Sequence, residues 1–509
     1  MTINMYKCIL ISLFIISKYK HTKHKAQSTK HKAQSTKHKA QSTKHKAHTK
    51  IMKFTGKLFS YQKEAMMWML KRESSHRAPG GFLCLDPGMG KTILTMVTIA
   101  VHDLDHTLIV VPKNIMSQWV SEFAKFTDCT PLVVDARMNN KKEITHEMLK
   151  EHKVCITSIS TFSSMIDTDD CALLSFKFDR LVIDEGHLIR NRRSKSFWAM
   201  NQIKSHIRWI LTGTLINKNR NDFKSLLEFM DIFNVNLTQA AREFVYRRTK
   251  EDVGLSIPDL HIEEIRGDFE TDAEKDLYAE LVENGKILLR AYNAYGDGEG
   301  RMRLLEQLMR MRQCVTNPQI LYANSEDEKW EGNRTKLNML RKEIQNNPVE
   351  KTLIFCNWIC EMDAIREMLH SIGHKSVTLN GKTPNSQRDV NIKSFNEDNN
   401  INFFIIQIES GGIGLNLQVA TRVFINSLSW NATTEIQAIA RAHRIGQTAN
   451  VIVKRLIIDN TFDEHVLNLQ QKKLEIASEI FDDKRIEKSL QQTRKQKNST
   501  FKQLTNVFK

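Results

Sequence analysis

Short apolar runs recur along this chain at intervals that leave room for one helix between each and the next. Leu83-Cys84-Leu85, Thr107–Val111, Val154–Thr157, Arg180–Ile183 and Arg208–Leu211 form a first series. Apolar runs of that length separated by amphipathic stretches are what a parallel sheet covered on both faces by crossover helices requires. The rhythm lapses between about 235 and 345, where charged helical segments such as Glu274–Leu289 and Met302–Gln313 dominate. It resumes with Thr352–Cys356, Ser376–Leu379, Phe403–Ile408, Val423–Asn426 and Val451–Ile458. The pattern predicts an α/β fold of two parallel-sheet lobes, 52–234 and 346–481, separated by a helical insertion over 235–345. A chain of 509 residues suits three such units at about 150 residues each.

Charge sets the two ends apart from this body. The formal net charge is +17, yet residues 1–51 hold twelve Lys and no acid, and residues 482–509 hold eight Lys/Arg against three acids, so 52–481 is neutral. Residues 23–43 are three copies of Lys-His-Lys-Ala-Gln-Ser-Thr. No large apolar residue occurs in the repeat, so there is no coiled-coil seam, and a disordered basic tail is expected over 1–51. A second basic tail is expected over 482–509. Basic ends on a neutral body point to an acidic partner such as nucleic acid. Met52 stands directly before the first patterned residues and would serve as an initiator, so the extension before it is expected to be dispensable.

The apolar run Cys8–Ile16 is far short of the ~20 residues a bilayer needs, and no small-residue cleavage site follows it. No membrane partner is expected. The eight cysteines include no Cys-x-x-Cys pair and no Cys/His cluster at zinc spacing, which suits a reducing compartment without a structural metal.

Three constellations carry chemistry. Gly88-Met89-Gly90-Lys91-Thr92 follows an apolar strand and opens the helical run Ile93–Ala100. Glycines let backbone N–H groups face a phosphate at a helix N-terminus, where Lys91 would neutralise phosphate charge and Thr92 would hold Mg²⁺. Leu85 sits where the usual first glycine of such a loop belongs, and a glycine-rich turn with a surface lysine is the alternative. Leu181-Val182-Ile183-Asp184-Glu185-Gly186-His187 is an apolar strand ending in two acids at the carboxyl edge of a parallel sheet. There Asp184 would hold Mg²⁺ and Glu185 would deprotonate an attacking water, unless the two acids merely cap the next helix. In the second lobe Arg441 and Arg444 are three apart, so on a helix they would share a face. They would either stabilise the γ-phosphate charge in the transition state or form a solvated basic surface.

With these residues in view, the chain resembles the switch/sucrose-nonfermenting ATPases of helicase superfamily two, the motors of chromatin remodelling. The resemblance runs in order over 56–475. It includes Leu58-Phe59-Ser60-Tyr61-Gln62, Leu108–Pro112 with Gln118-Trp119, Asp184–His187 and Leu211–Thr214 in the first lobe. Arg247–Lys250, Met309–Gln313 and Asn317-Pro318 fall in the insertion; Leu353–Phe355 with Trp358, Asn380-Gly381, Gly411–Asn416, Trp430-Asn431 and Gln437–Gln447 fall in the second lobe. Arg-Ala-His-Arg-Ile-Gly-Gln together with Asp-Glu-Gly-His is the most specific pair.

The resemblance implies two RecA-like lobes that hydrolyse ATP with Mg²⁺ and translocate on double-stranded DNA without separating its strands. It implies Lys91, Asp184, Glu185, Gln437, Arg441 and Arg444 as the catalytic set. Nucleotide contacts would come from Leu85, Asp86, Pro87, Gly88, Met89, Gly90, Lys91 and Thr92, with Gln62 and His187, and the metal would be held by Thr92 and Asp184. A core-only member of this size resembles the global transactivator proteins of insect DNA viruses, with poxvirus-type nucleoside triphosphatases a neighbouring possibility. That implies transcription regulation in a nucleus, a host nucleus if viral, with the transcription machinery or chromatin as further partners.

The chain departs from the family pattern at three places. Leu85-Asp86-Pro87 replaces Asp-Glu-Met, and proline removes one N–H donor from the loop. Leu215 replaces a proline, and Ile408-Glu409-Ser410 replaces Thr-Arg/Lys-Ala, setting an acid near the expected DNA path. Two further readings therefore stand beside the translocase: a strand-separating helicase, and a transcription scaffold whose ATPase has decayed.

Overall fold

The computed structural model describes residues 51–135, 144–165, 171–213, 220–254, 257–296, 298–323, 329–411 and 416–481. The repeat tail, Thr214, Leu215, residues 412–415 of the glycine motif and the basic segment 482–509 lie outside the described residues.

Among the described residues, seven parallel strands form the first sheet: β1 (Gly80–Leu85), β2 (Thr107–Val111), β3 (Leu132–Val134), β4 (Val154–Ser158), β5 (Lys177–Asp184), β6 (Lys204–Thr212) and β7 (Val245–Arg248). Their order across the sheet is β3-β4-β2-β5-β6-β1-β7. The second sheet contains β8 (Leu260–Gly267), β9 (Thr352–Cys356), β10 (Lys375–Leu379), β11 (Ile401–Gln407), β12 (Arg422–Ile425) and β13 (Val451–Ile458), ordered β10-β11-β9-β12-β13-β8.

Unbroken apolar runs are needed because both faces of each sheet are covered. In β2, Leu108 and Val110 enter one hydrophobic cluster while Ile109 and Val111 enter the cluster on the opposite face. The same alternation divides Leu353 and Phe355 of β9 from Ile354 and Cys356. Every residue of β2 and of β9 is buried. Among the described residues no helix is long and apolar enough to cross a membrane.

The segment 235–345, expected to be helical, contributes two strands as well as helices. β7 pairs with β1 at the border of the first sheet, and β8 pairs with β13 at the border of the second. Both are edge strands: β7 has one buried residue, Tyr246, and β8 has none, with His261, Glu263 and Arg266 exposed, so both lack the apolar continuity of the inner strands. The chain thus leaves one sheet at Arg248 and enters the other at Leu260. The charged stretches beyond it form two helices that pack on each other, α3 (Asp272–Tyr295) and α4 (Gly298–Thr316), once the earlier helices α1 (Ser60–Glu73) and α2 (Lys91–Val101) are counted.

Two further helices matter to the site, α5 (Ala432–Ile439) and α6 (Phe462–Phe481). Phe462, Val466 and Leu474 of α6 lie in the second lobe's core, while Ala477 and Ile480 at its far end lie in the first lobe's core. Arg220 adds an ion pair to Glu479 at 2.7 Å. One helix therefore packs into both lobes.

Candidate active site

The phosphate-type loop takes its shape from β1 and α1. β1 ends at Leu85 and α2 opens at Lys91, with Gly88 at φ +86° and Gly90 at φ +88° between them. At Gly90 both the left-handed backbone and the space demand glycine, because a Cβ would lie 2.5 Å from Gln62 Nε2. Tyr61 Oη and Gln62 Nε2 both donate to the Met89 carbonyl, at 3.1 and 3.2 Å. Gln62 also accepts the Phe59 N–H at 3.0 Å, capping α1. Gln62 thus holds the loop and its own helix. The Leu85 side chain is buried in the core, and only its carbonyl reaches the loop, accepting Lys91 Nζ at 2.8 Å. Thr92 is the second residue of α2, where backbone N–H groups have no intrahelical acceptor.

The two acids close β5. Asp184 is the last strand residue and accepts the Trp119 indole N–H at 3.0 Å and the Glu185 backbone N–H at 2.9 Å. Glu185 stands at φ +52°, a conformation costly for a residue with a Cβ, and its side chain makes no cap bond to the short helix that follows. Helix capping is therefore not what this carboxylate does. Gly186 must be glycine: a Cβ there would lie 2.1 Å from Ile210 Cγ2. His187 Nδ1 lies 3.1 Å from Glu185 Oε2.

Electrostatics separates the two carboxyls. Burial and the charge of Glu185 raise Asp184 to about 6, against the opposing Lys91 charge and the Trp119 bond. Burial also acts to raise Glu185, but the adjacent His187 imidazole and the charges of Lys91 and Arg441 outweigh it and hold the group below its ordinary value. A buried acid pair of this kind is unfavourable without a cation.

The second lobe supplies the opposite wall. Gln437, on α5, donates Nε2 to Glu185 Oε2 at 3.1 Å across the cleft. Arg441 and Arg444 do not share a helical face as expected. α5 stops at Ile439, and 441–447 is a series of turns, with Arg441 N–H donating to Ala438 O and Gln447 N–H to Arg444 O. The break is made by Gln447, whose Nε2 donates to the carbonyls of Gln418, Ala420 and Ala442 at 2.8, 3.0 and 3.2 Å, and by Gly446 at φ +101°. The turns still deliver both guanidinia to the cleft. Burial lowers Arg441 to about 10 against the attraction of Glu185 and Asp184, and Arg444 Cβ would lie 3.4 Å from a Cβ on Gly88. A solvated basic face would show neither.

Among the described residues, no three His, Cys, Asp or Glu side chains gather as a metal-binding group. Mg²⁺ needs fewer: it binds through one or two carboxylates plus phosphate oxygens. The buried Asp184–Glu185 pair facing Lys91 and the helix N-terminus suits a Mg²⁺–phosphate complex.

Three residues that the sequence places in motif runs, without a role, make contacts visible only in the fold. Trp119 meets Asp184 from 65 positions away, Gly186 meets β6, and Arg312 of α4 is held between the Trp358 and Trp430 rings at 5.0 and 5.1 Å. Each of these contacts is made across the fold and leaves no local signal in the sequence. Glu409, on the helical turn Ile408–Gly411 after β11, is exposed.

The SNF2-related domain family matches residues 61–236, and the helicase conserved C-terminal domain family matches 335–446. A human SWI/SNF-related matrix-associated actin-dependent regulator of chromatin, subfamily A member 1, is 28% identical over 474 residues, covering 85% of this chain and 44% of its own. The Saccharomyces cerevisiae ISWI chromatin-remodeling complex ATPase ISW2 is 28% identical, covering 83% and 40%. The probable global transactivator of Orgyia pseudotsugata multicapsid polyhedrosis virus is 26% identical, covering 84% and 91%. A solved Sulfolobus solfataricus SWI2/SNF2 ATPase core in complex with dsDNA is 23% identical, with a TM-score of 0.39 and coverage of 84% and 93%. The chain spans less than half the length of the chromatin-remodelling relatives.

Proposed function

Since the chain belongs to the Swi/Snf-type ATPases of helicase superfamily two, we propose that it hydrolyses ATP between its lobes, stimulated by duplex DNA, and uses the cycle to translocate on that DNA in transcription regulation. The observation that carries this reading is the bond from Gln437 of one lobe to Glu185 of the other, with Arg444 set against Gly88. Such a site is complete only when both lobes face each other, so nucleotide occupancy and lobe geometry are coupled.

Each residue has a role in this reading. The loop N–H groups and Lys91 bind the β- and γ-phosphates, with Pro87 contributing no donor. Thr92 and Asp184 would hold Mg²⁺, which when bound would neutralise phosphate charge. Trp119 keeps Asp184 oriented. Glu185, ionised and backed by His187, takes the proton of the attacking water, and Gln437 fixes the carboxylate that does so. Arg441 and Arg444 neutralise charge that develops on the γ-phosphate. Closing and reopening the cleft steps the lobes along a phosphate backbone.

Duplex DNA, a remodelling outcome and a nuclear site of action are supported by what the relatives are named for, chromatin-remodelling ATPases and a viral transactivator. The intact site residues favour an enzyme over a scaffold. ATP turnover measured with and without duplex DNA tests the reading. Turnover should rise with DNA, and the rise should weaken as salt increases, because phosphate contacts release counterions. DNA-independent turnover would contradict the translocase, and displacement of a paired strand would replace it with an unwinding helicase.

A further inference from the structure

The crossing between the lobes carries a lysine that no step above uses. Residues 249–259 join β7 to β8, and Lys250 lies at the start of that crossing. Its backbone N–H donates to Asp86 Oδ2 at 3.1 Å, on the phosphate-type loop. Asp86 in turn donates its own N–H to the Arg248 carbonyl at 3.4 Å. The Lys250 side chain runs the other way, and Nζ donates at 2.6 Å to the carbonyl of His443, which lies between Arg441 and Arg444. His443 Nε2 lies 2.7 Å from the Pro258 carbonyl, near the far end of the same crossing. One short segment is therefore bonded to the loop at one atom and to the arginine turn at two.

This is a costly place for a cation. Burial lowers the Lys250 ammonium to about 8; the Asp86 charge works against that, and the charges of Arg444 and Lys91 add to it. A purely structural tie to a carbonyl would be served as well by a neutral donor. A charged one in this position holds the turn while standing among the cations that must converge.

Resting on the ATPase reading, we propose that Lys250 is a positioning residue: it sets the register of the 441–444 turn against the phosphate loop, so that the arginines reach the transferred phosphoryl group as the lobes close.

The test uses the full chain with Lys250→Met, which keeps the stem and removes the donor, and Lys250→Arg, which keeps a cationic donor. Each is made in the wild-type and in an Arg444→Ala background. Steady-state turnover, affinity for a fluorescent ATP analogue with Mg²⁺, and the thermal midpoint are measured. Misplacing a reacting group by about an ångström costs up to about a hundredfold in rate, so K250M should lower kcat by about ten- to a hundredfold. Analogue affinity should hold within about twofold, and K250R should regain most of the rate. In the R444A background K250M should change kcat by no more than about twofold, because groups acting as one unit are not additive. Unchanged kcat in K250M overturns the inference. So does a loss that multiplies with R444A, and so does equal loss of affinity and rate with a lowered midpoint that arginine does not restore. A wild-type chain without turnover overturns the ATPase reading and this inference together.

Discussion

In the proposed reading, Glu185 concentrates the strain and the chemistry of the first lobe in one residue. Its left-handed backbone aims the carboxylate away from the helix it precedes and toward Gln437 of the opposite lobe. Glu185→Gln keeps the size and the Gln437 neighbour but cannot accept a proton from water. The account expects analogue binding to be retained while the single-turnover rate falls by about a hundredfold or more. A collapse of binding instead would assign Glu185 a structural role. The placement of the candidate residues was legible where residue type and local spacing suffice: Gly88, Gly90 and Lys91 at a strand–helix junction, and Asp184-Glu185 at a strand end. Trp119, Gly186 and Lys250 fall in the motif runs that carry the family resemblance, but their contacts were not legible, because their partners are remote in sequence.

At the scale of elements, the strands that sequence patterning marks are those buried on both faces, where apolar residues must run without interruption. β7 and β8 escaped because edge strands need not be buried throughout: β7 has one buried residue and β8 none, and the charged residues between their apolar ones read as loop. The arginine segment misled in the opposite direction. Its i,i+3 spacing suits a helix, yet Gln447 and Gly446 bend it into turns. Polar contacts also lock α1 to the sheet. Glu73, the last residue of α1, is fully buried and receives Arg180 Nε and Nη2 from β5, both at 2.6 Å, and Trp209 Nε1 from β6 at 2.8 Å. Burial works to raise its pKa, but the Arg180 charge and the His102 and Arg180 bonds hold it at about 2, well below its ordinary 4.5. A depressed carboxyl stabilises the fold above its unfolded pKa, and that stabilisation is lost as pH falls through the folded value. Denaturant titrations at pH 5 and at pH 3 should show the first lobe losing part of a total of about 3 kcal/mol that Glu73 contributes. In Glu73→Gln the fold should be weaker at pH 5, and that part of the acid dependence should be gone. An unchanged dependence would place the acid sensitivity elsewhere.

For the whole molecule, among the described residues the lobes are joined besides the site itself by the crossing that follows β7 and by α6, whose ends pack into different cores. Two-lobed α/β architecture was legible from the lapse and return of apolar runs. That α6 would reach back to the first lobe was not, since an amphipathic stretch does not reveal which sheet its apolar face covers. The central claim is that neither lobe is an ATPase alone: the first binds the nucleotide and the second completes the chemistry. The most direct test is Arg441→Ala, a change in the second lobe, with ATP affinity and single-turnover hydrolysis measured on the same protein. The account predicts affinity close to wild type with hydrolysis slowed by about a thousandfold, the scale of a lost arginine finger. Hydrolysis at the wild-type rate, or affinity lost while the rate of bound ATP is kept, would contradict it.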